Sequence, residues 1–208
     1  MRGELTAKGR ATRRRIVEGA AEVLRERGVV ATTLDDVLAR TRTSKSQLFH
    51  YFPSGKDELL VAVARFEAGQ VLADQEPHLG RLDSWEAWAR WRDAVVERYE
   101  EQGDQCPLGS LLHRIGRTTP GTRAIVTELL RTWQESLAAG IRGLQAADLL
   151  PGDVDVETRA AALLTAIQGG VSILLSTGDS GHLRAALDQS IADLRRDGDP
   201  ARPRATAG

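Results

Sequence analysis

The chain has 208 residues and a formal net charge of -1, and 41% of its residues are hydrophobic, 27% charged and 4% aromatic. That balance is typical of a folded globular protein, and the scarcity of aromatic residues favours helix over sheet. A single cysteine excludes an intrachain disulfide and a zinc ribbon. We expect no membrane span, because the most apolar stretch, residues 160–175, is interrupted by polar residues and a glycine pair. Without a secretory signal, the expected location is the cytoplasm.

Charge is unevenly distributed along the chain. Residues 1–60 carry 12 Lys or Arg against 8 Asp or Glu, whereas residues 61–208 carry 16 against 21. The excess lies at the start of the chain, so residues 1–10 are predicted to form a flexible basic arm. Such an arm suggests a polyanionic partner for one end of the protein, although short basic termini are also common as simple solvated segments.

The first three helices are predicted from apolar spacing and capping residues. Residues 11–27 form the first helix, and Gly28 is expected to end it in a left-handed conformation. Thr33 precedes a short second helix. Ser44 and Gln47 form a capping box that begins a third helix, which ends before a proline. Two short helices joined by about four residues indicate a helix-turn-helix module.

The rest of the chain is predicted to be helical as well. No segment alternates between apolar and polar residues with period two, so the expected fold is all-α with about nine helices. A fourth helix begins at Lys56, and five more apolar stripes predict helices near residues 85–99, 108–117, 125–144, 160–175 and 183–194.

The third helix has the side chains of a DNA-reading helix. Its outer face is predicted to carry Lys45, Ser46, Gln47 and His50. In the major groove Gln47 can pair bidentately with adenine, while Arg42 or Lys45 can read guanine or hold phosphate. A purely structural interpretation also stands, since Ser44 and Gln47 cap the helix in either case.

The stretch from Thr12 to Leu60, with its SK-x-x-L-aromatic-H-x-F and K-x-x-L-L motifs, resembles the N-terminal domain of TetR-family transcriptional regulators. The resemblance implies a repressor that binds a palindromic operator as a homodimer and is released by a small-molecule inducer. We expect the inducer to move the fourth helix and so change the separation of the two DNA-binding domains. The candidate DNA-binding residues are Thr33, Arg42, Thr43, Ser44, Lys45, Gln47, Phe49, His50 and Lys56.

Two positions depart from the family pattern. Arg42 stands in the turn where the family often has glycine, so either the turn tolerates a strained residue or Arg42 adds a DNA contact. Phe49 replaces the usual tyrosine of the recognition helix. It cannot donate a hydrogen bond to phosphate, although it can pack on a thymine methyl group.

The C-terminal half resembles the LmrA/YxaF-like branch of the family, in Cys106–Ser110, Trp133 and residues 167–170. That resemblance implies a theme of drug efflux or small-molecule stress. The candidate ligand-binding residues are Trp88, Trp91, Cys106, His113, Trp133 and Gln168, which would give apolar walls and a few polar groups for an apolar or amphipathic inducer. For each tryptophan ordinary core packing is the alternative, and for Cys106 a buried small hydrophobe.

Gly169 and Gly170 lie inside the eighth helix, where glycine is unfavourable unless another helix or a ligand approaches closely. The eighth and ninth helices are therefore the expected dimer face, through Leu163, Ile167, Gly170, Leu174, Leu187 and Ile191. The predicted organisation is a basic arm (1–10), a helix-turn-helix domain (11–55), a ligand-binding and dimerisation domain (56–196) and a disordered tail (197–208).

Other classes of function are weighed on the same residues. No G-x-S-x-G or HExxH motif is present, and four histidines without such spacing argue against an enzyme, a cofactor or a metal site. An architectural protein would use the same basic module without sequence selectivity. An activator would differ from a repressor only in where its operator lies.

Overall fold

The computed structural model describes residues 5–198, except for the side chains of Asp104 and His113. Every regular element in that range is helical, which confirms the all-α prediction. The α-helices are α1 (Ala7–Ala31), α2 (Leu34–Thr41), α3 (Lys45–Tyr51), α4 (Lys56–Ala73), α5 (Trp85–Gln102), α6 (Pro107–Gly109), α7 (Pro120–Ala146), α8 (Val156–Thr177) and α9 (Gly181–Asp197). A π-helical segment, Ser110–Ile115, continues α6.

These helices form two compact units. The first extends to Val71 and includes Asp104–Leu129, and the second comprises Leu72–Gly103 and residues 130–198. The boundary expected at residue 56 therefore differs from the observed division, because most of α4 belongs with the helix-turn-helix. An ion pair holds it there: Arg25 Nη1 of α1 lies 2.5 Å from Glu67 Oε1 of α4, and the Glu67 side chain is completely buried.

The start of α1 corrects the predicted flexible arm. The helix begins at Ala7, and the Thr6 hydroxyl accepts a hydrogen bond of 3.1 Å from the Gly9 amide. This cap satisfies an amide of the first turn, which extends the helix four residues before its predicted start. Residues 1–4 of the predicted arm lie outside the described range, as do residues 199–208 of the predicted tail; Asp197, placed in that tail, is the last residue of α9.

The helix α1 is interrupted at Gly28, but it does not end there in a left-handed cap as predicted. Gly28 has φ 76° and ψ 168°, and one further turn continues to Ala31. A break of this kind takes backbone carbonyls out of the regular helical ladder. Side chains of the same unit meet two of these groups: the Arg114 guanidinium donates to the Arg25 carbonyl, and the Thr32 hydroxyl donates to the Gly28 carbonyl at 2.7 Å.

In the second unit α8 packs closely on α9. A Cβ atom at Gly170 would lie 2.6 Å from the Leu183 Cα, so only glycine lets these two backbones approach. This contact supplies the close helix approach expected at the glycine pair. Gly169 has open space around it, and nothing in the structure explains the glycine there.

The predicted dimer contacts require a correction. All six residues are buried within the single chain: Leu163, Ile167, Gly170, Leu174, Leu187 and Ile191. They lie inward because α8 and α9 use these apolar faces to pack within one chain. The outward face of α8 instead exposes Thr165, Gly169 and Ile173, the last with 37% of its surface accessible.

By length and composition, α8 could cross a membrane, contrary to the expectation that no segment could. It has 22 residues and a mean hydropathy of 1.6 over its most apolar window, and among the described helices it alone meets these criteria. In that window 39% of the residues are buried inside the chain. Core helices of soluble proteins have the same features, so this is weak evidence for a span.

Candidate nucleic-acid interface

The helices α2 and α3 are each fixed at their start by a capping box. Thr33 Oγ1 accepts from the Asp36 amide at 3.2 Å, and Asp36 Oδ2 accepts from the Thr33 amide at 2.8 Å. Ser44 and Gln47 repeat the arrangement in α3, with both bonds at 3.2 Å. The capping box predicted at Ser44 is confirmed, and it fixes where α3 begins.

This arrangement limits what Gln47 offers to a partner. Its side-chain oxygen accepts the Ser44 amide, whereas its NH₂ group points from an exposed side chain. A bidentate pair with adenine needs both the oxygen and the NH₂ group. Gln47 therefore offers mainly its NH₂ group as a donor, because its side-chain oxygen already accepts a hydrogen bond from Ser44.

The turn between α2 and α3 is built on a left-handed arginine. Arg42 has φ 49° and ψ 45°, and its amide bonds to the Ala39 carbonyl as the C-cap of α2. The left-handed region costs a non-glycine residue roughly 1–2 kcal/mol. The turn therefore does contain a strained residue, which was the first alternative for Arg42. Its side chain is exposed, so it is also accessible for the second alternative, a DNA contact.

The outer face of α3 is exposed and its inner face is buried. Lys45, Ser46, Gln47, Phe49 and His50 are exposed, Phe49 at 38%. Leu48 is fully buried and anchors the helix to the first unit. An exposed aromatic ring on a short polar helix is typical of a surface that contacts another molecule.

Two predicted contact residues face inward. The side chain of Thr43 is buried, and its hydroxyl donates to the Thr41 carbonyl at 3.3 Å. The Lys56 ammonium donates to the Val29 carbonyl at 2.9 Å and to the Thr32 carbonyl at 2.6 Å. Both side chains therefore form hydrogen bonds within the protein, and neither belongs to the exposed surface of α3.

Several cations around the module are already paired. Arg40 bonds Glu26 at 2.6 Å and Glu22 at 3.0 Å, which raises the pKa of Arg40 and lowers that of Glu26. Arg27 pairs with Asp36, whose pKa is lowered mainly by its hydrogen bonds from Thr33. These contacts leave little of that positive charge for another molecule.

Arg42 and Lys45 differ from these paired cations. Within the described residues neither side chain has a hydrogen bond or an ion pair, and both are exposed. They flank the start of α3, next to the exposed face of Gln47. Two unpaired cations therefore lie at the beginning of the second helix of the module, beside Gln47.

The predicted ligand-binding residues are divided between the two units. Trp88 and Trp91 pack edge to face at 5.6 Å in the second unit, which also contains Trp133 and Gln168. Cys106 belongs to the first unit, where its sulfur caps α6 by accepting from the Gly109 amide. The side chain of His113 lies outside the described residues. Sequence reasoning grouped Cys106 with the tryptophans, but the structure gives it a local capping role.

Three residues of the first unit carry structural roles that sequence reasoning missed. Glu67 is a buried acid paired with Arg25, and Arg114 caps the break in α1. No local pattern announces either contact, because the partners are far apart in sequence. Across the described residues, no cluster of three or more His, Cys, Asp or Glu side chains could hold a metal ion.

A capped helix-turn-helix with an exposed polar second helix, set in a helical chain, defines the class of helix-turn-helix transcriptional regulators. Residues 16–63 match the family model for bacterial regulatory proteins of the tetR family, and residues 82–190 match the model for the tetracyclin repressor-like C-terminal domain. The chain belongs to the TetR family.

Individual proteins agree with that assignment. The YxaF regulator of Bacillus subtilis is 21% identical over 193 residues, covering 90% of this chain and 97% of YxaF. A TetR-family regulator from Cytophaga hutchinsonii has a TM-score of 0.75 at 20% identity, covering 92% of this chain and 98% of its own. The SmeT–triclosan complex has a TM-score of 0.70 at 18% identity, covering 88% and 91%. At these identities the structures show a shared fold.

Proposed function

We propose that this protein is a cytoplasmic, ligand-responsive repressor that binds a palindromic operator as a homodimer. The single observation that carries the proposal is the exposed face of α3, where the free cations Arg42 and Lys45 adjoin the donor side chain of Gln47. A recognition helix needs this combination of base-reading and phosphate-binding groups.

The exposed residues have distinct expected roles on DNA. Gln47 and His50 contact base edges in the major groove, and Phe49 packs on a thymine methyl group. Lys45 and Arg42 bind phosphate at the start of α3, with the hydroxyls of Thr33 and Ser44 near the first turns of their helices. Thr43 and Lys56 support this surface from inside.

The homodimer is proposed to form through the outward face of α8. That face carries Thr165, Gly169 and Ile173, and between Ala160 and Thr177 the helix has no charged residue. Pairing two copies would cover an apolar face left exposed by one chain. A two-fold axis there would place two DNA-binding domains roughly 34–36 Å apart, one turn of DNA.

The proposed inducer is an amphipathic small molecule bound in the second unit, and the proposed targets are efflux or stress genes. SmeT, a protein of the same fold, was crystallised with triclosan, which supports this ligand class. The signal is expected to pass along α4. Its first residue, Lys56, is bonded to the end of α1, so a shift of α4 would pull on the α1–α2 segment.

The test is a binding selection from random duplexes with the full chain, followed by a salt titration on the selected sequence. An enriched inverted repeat bound at ~10⁻⁸ M or tighter, and at least ~10³-fold more tightly than random DNA, is expected. No enriched motif with a steep salt dependence would indicate an architectural protein and reject the proposal.

A further inference from the structure

The three fully buried tryptophans of the second unit differ in what their indole N–H groups bond. Trp88 donates to the Leu82 carbonyl at 3.1 Å, and Trp91 donates to Gln75 Oε1 at 3.2 Å. Trp133 is equally buried, yet its N–H has no partner among the described residues. Trp88 and Trp91 thus have structural hydrogen bonds, and Trp133 retains a donor without one.

Gln168 has the same property in α8. Both atoms of its carboxamide are buried and without a partner within the described part of the chain. At 100° per residue, Gln168 projects on the side of α8 opposite Gly170, which contacts α9. Its amide therefore points away from the α8–α9 contact. Unpartnered buried polar groups lose hydration without compensation, and a native chain keeps few of them without a reason.

Trp133 and Gln168 belong to the same compact unit, one in α7 and the other in α8. The ion pair between Arg142 and Glu157, 2.5 Å long, joins the last turns of α7 to the first turn of α8. Trp133 lies about 20 Å before the end of α7 and Gln168 about 18 Å after the start of α8, at 1.5 Å per residue. Two helices that run antiparallel from this ion pair would bring the two residues to one height, and the proposal below requires that arrangement.

The surroundings select against a charged ligand. Apart from the buried carboxamide of Gln168, Gln75 is the one buried polar residue among the described side chains of the second unit, and it already accepts from Trp91. No buried cation or anion is present there to pair with a ligand charge. A charged molecule placed inside would lose its hydration without gaining a counter-ion.

We propose that the Trp133 indole N–H and the Gln168 carboxamide are the polar contacts of the inducer site. The inducer is then an uncharged amphipathic molecule with a hydrogen-bond acceptor for the indole and a second polar group for the carboxamide. This inference rests on the proposed function, because it names the ligand class of the same regulator.

The first arm of the test measures stability without ligand. Trp133→Phe and Trp91→Phe leave similar gaps, but only the second breaks a hydrogen bond. We expect the Tm of Trp133→Phe to exceed that of Trp91→Phe by about 2–4 °C. Gln168→Met, which removes both unpartnered atoms, is expected to raise the Tm above that of the wild-type chain.

The second arm measures binding of Nile red, an uncharged dye whose carbonyl accepts a hydrogen bond. We expect its Kd to rise about 3- to 10-fold in Trp133→Phe and in Gln168→Met. Trp85→Phe, a tryptophan at the half-buried start of α5, serves as the matched control with unchanged Kd. The anionic dye 8-anilinonaphthalene-1-sulfonate is expected to bind the wild-type chain more weakly than Nile red.

The inference is overturned if Nile red does not bind the wild-type chain, if both variants bind it as the wild type does, or if the anionic dye binds more tightly. A Trp133→Phe Tm as low as that of Trp91→Phe also overturns it. If an operator is enriched but the dye binds both variants as tightly as the wild type, only the ligand assignment is rejected. If dye binding responds to both variants and no operator is enriched, the proposed regulatory function fails and the site remains.

Discussion

The ammonium of Lys56 lies 2.6 Å from the carbonyl oxygen of Thr32, so the first residue of α4 holds the segment between α1 and α2. The same ammonium donates a second hydrogen bond to the Val29 carbonyl, so two of its three N–H groups are engaged within the protein. We expect Lys56→Met to lower the free energy of unfolding by about 1–3 kcal/mol, because two carbonyls lose a charged donor.

The measurement for Lys56→Met is urea unfolding together with the salt dependence of operator binding. If Lys56 only stabilises the fold, the substitution leaves the slope of log K against log salt unchanged. If Lys56 binds phosphate, the substitution lowers the magnitude of that slope by about 0.9. A stable variant with a reduced slope would contradict the internal role of Lys56.

The left-handed conformation of Arg42 predicts opposite effects on stability and on binding. Arg42→Gly removes the strain, so the free energy of unfolding is expected to rise by up to about 1 kcal/mol, since glycine also loses more chain entropy. The same change removes a free cation, so operator affinity falls and the salt slope drops by about 0.9. Arg42→Ala, which keeps the strain, provides the control: it weakens binding without the gain in stability. Unchanged affinity in both variants would exclude Arg42 from the DNA contact.

The glycine pair in α8 offers a matched test of helix packing. Gly170→Ala places a Cβ atom against the Leu183 backbone, so we expect a loss of about 1–3 kcal/mol in the free energy of unfolding. Gly169→Ala meets no atom within 4 Å and improves helix propensity, so it is expected to stabilise the chain by up to about 1 kcal/mol. Denaturant unfolding of both variants checks the pair, and equal effects would contradict the observed packing of α8 on α9.

Two acids of the helix-turn-helix predict loss of stability in acid. The hydrogen bond from Arg40 holds the pKa of Glu26 below its usual 4.5, and hydrogen bonds from Thr33 hold that of Asp36 below its usual 3.8. Lowered pKa values stabilise the folded state above the unfolded-state pKa, and that stabilisation is lost as the pH falls through the folded-state pKa. The Tm, measured by thermal unfolding, should therefore fall as the pH drops below about 4.5 and through the lowered pKa values of the two acids. Arg40→Met should flatten the upper part of this decrease, and an unaltered profile would contradict the role of Arg40.

The sequence revealed contacts that are local along the chain. Ser44 and Gln47 are three residues apart, so their capping box could be predicted, and the unusual residue Arg42 marked its own turn. The burial of Leu163 and Ile167 was also predictable from helical spacing. Spacing identifies the apolar face of a helix but not its partner, which is why residues that pack on α9 were assigned to a second chain.

Contacts between distant residues could not be predicted in this way. Glu67 looks like one more surface acid of an amphipathic helix, and its partner Arg25 lies in another helix. Thr43 looks like a polar turn residue, but the backbone geometry beside Arg42 turns its hydroxyl inward. Lys56 matches a position at which family members contact DNA, and only the three-dimensional structure reveals its two carbonyl partners.

The engaged oxygen of Gln47 has a consequence for how an operator can evolve. A side chain that offers mainly an N–H donor finds an acceptor on the major-groove edge of either purine, since adenine and guanine both present N7. In the proposed complex, the base opposite Gln47 is therefore expected to vary between A and G with little loss of affinity. Regulated promoters would then differ at that position while the protein stays unchanged. One regulator could control a set of operators that keep the same inverted-repeat symmetry but differ in base sequence.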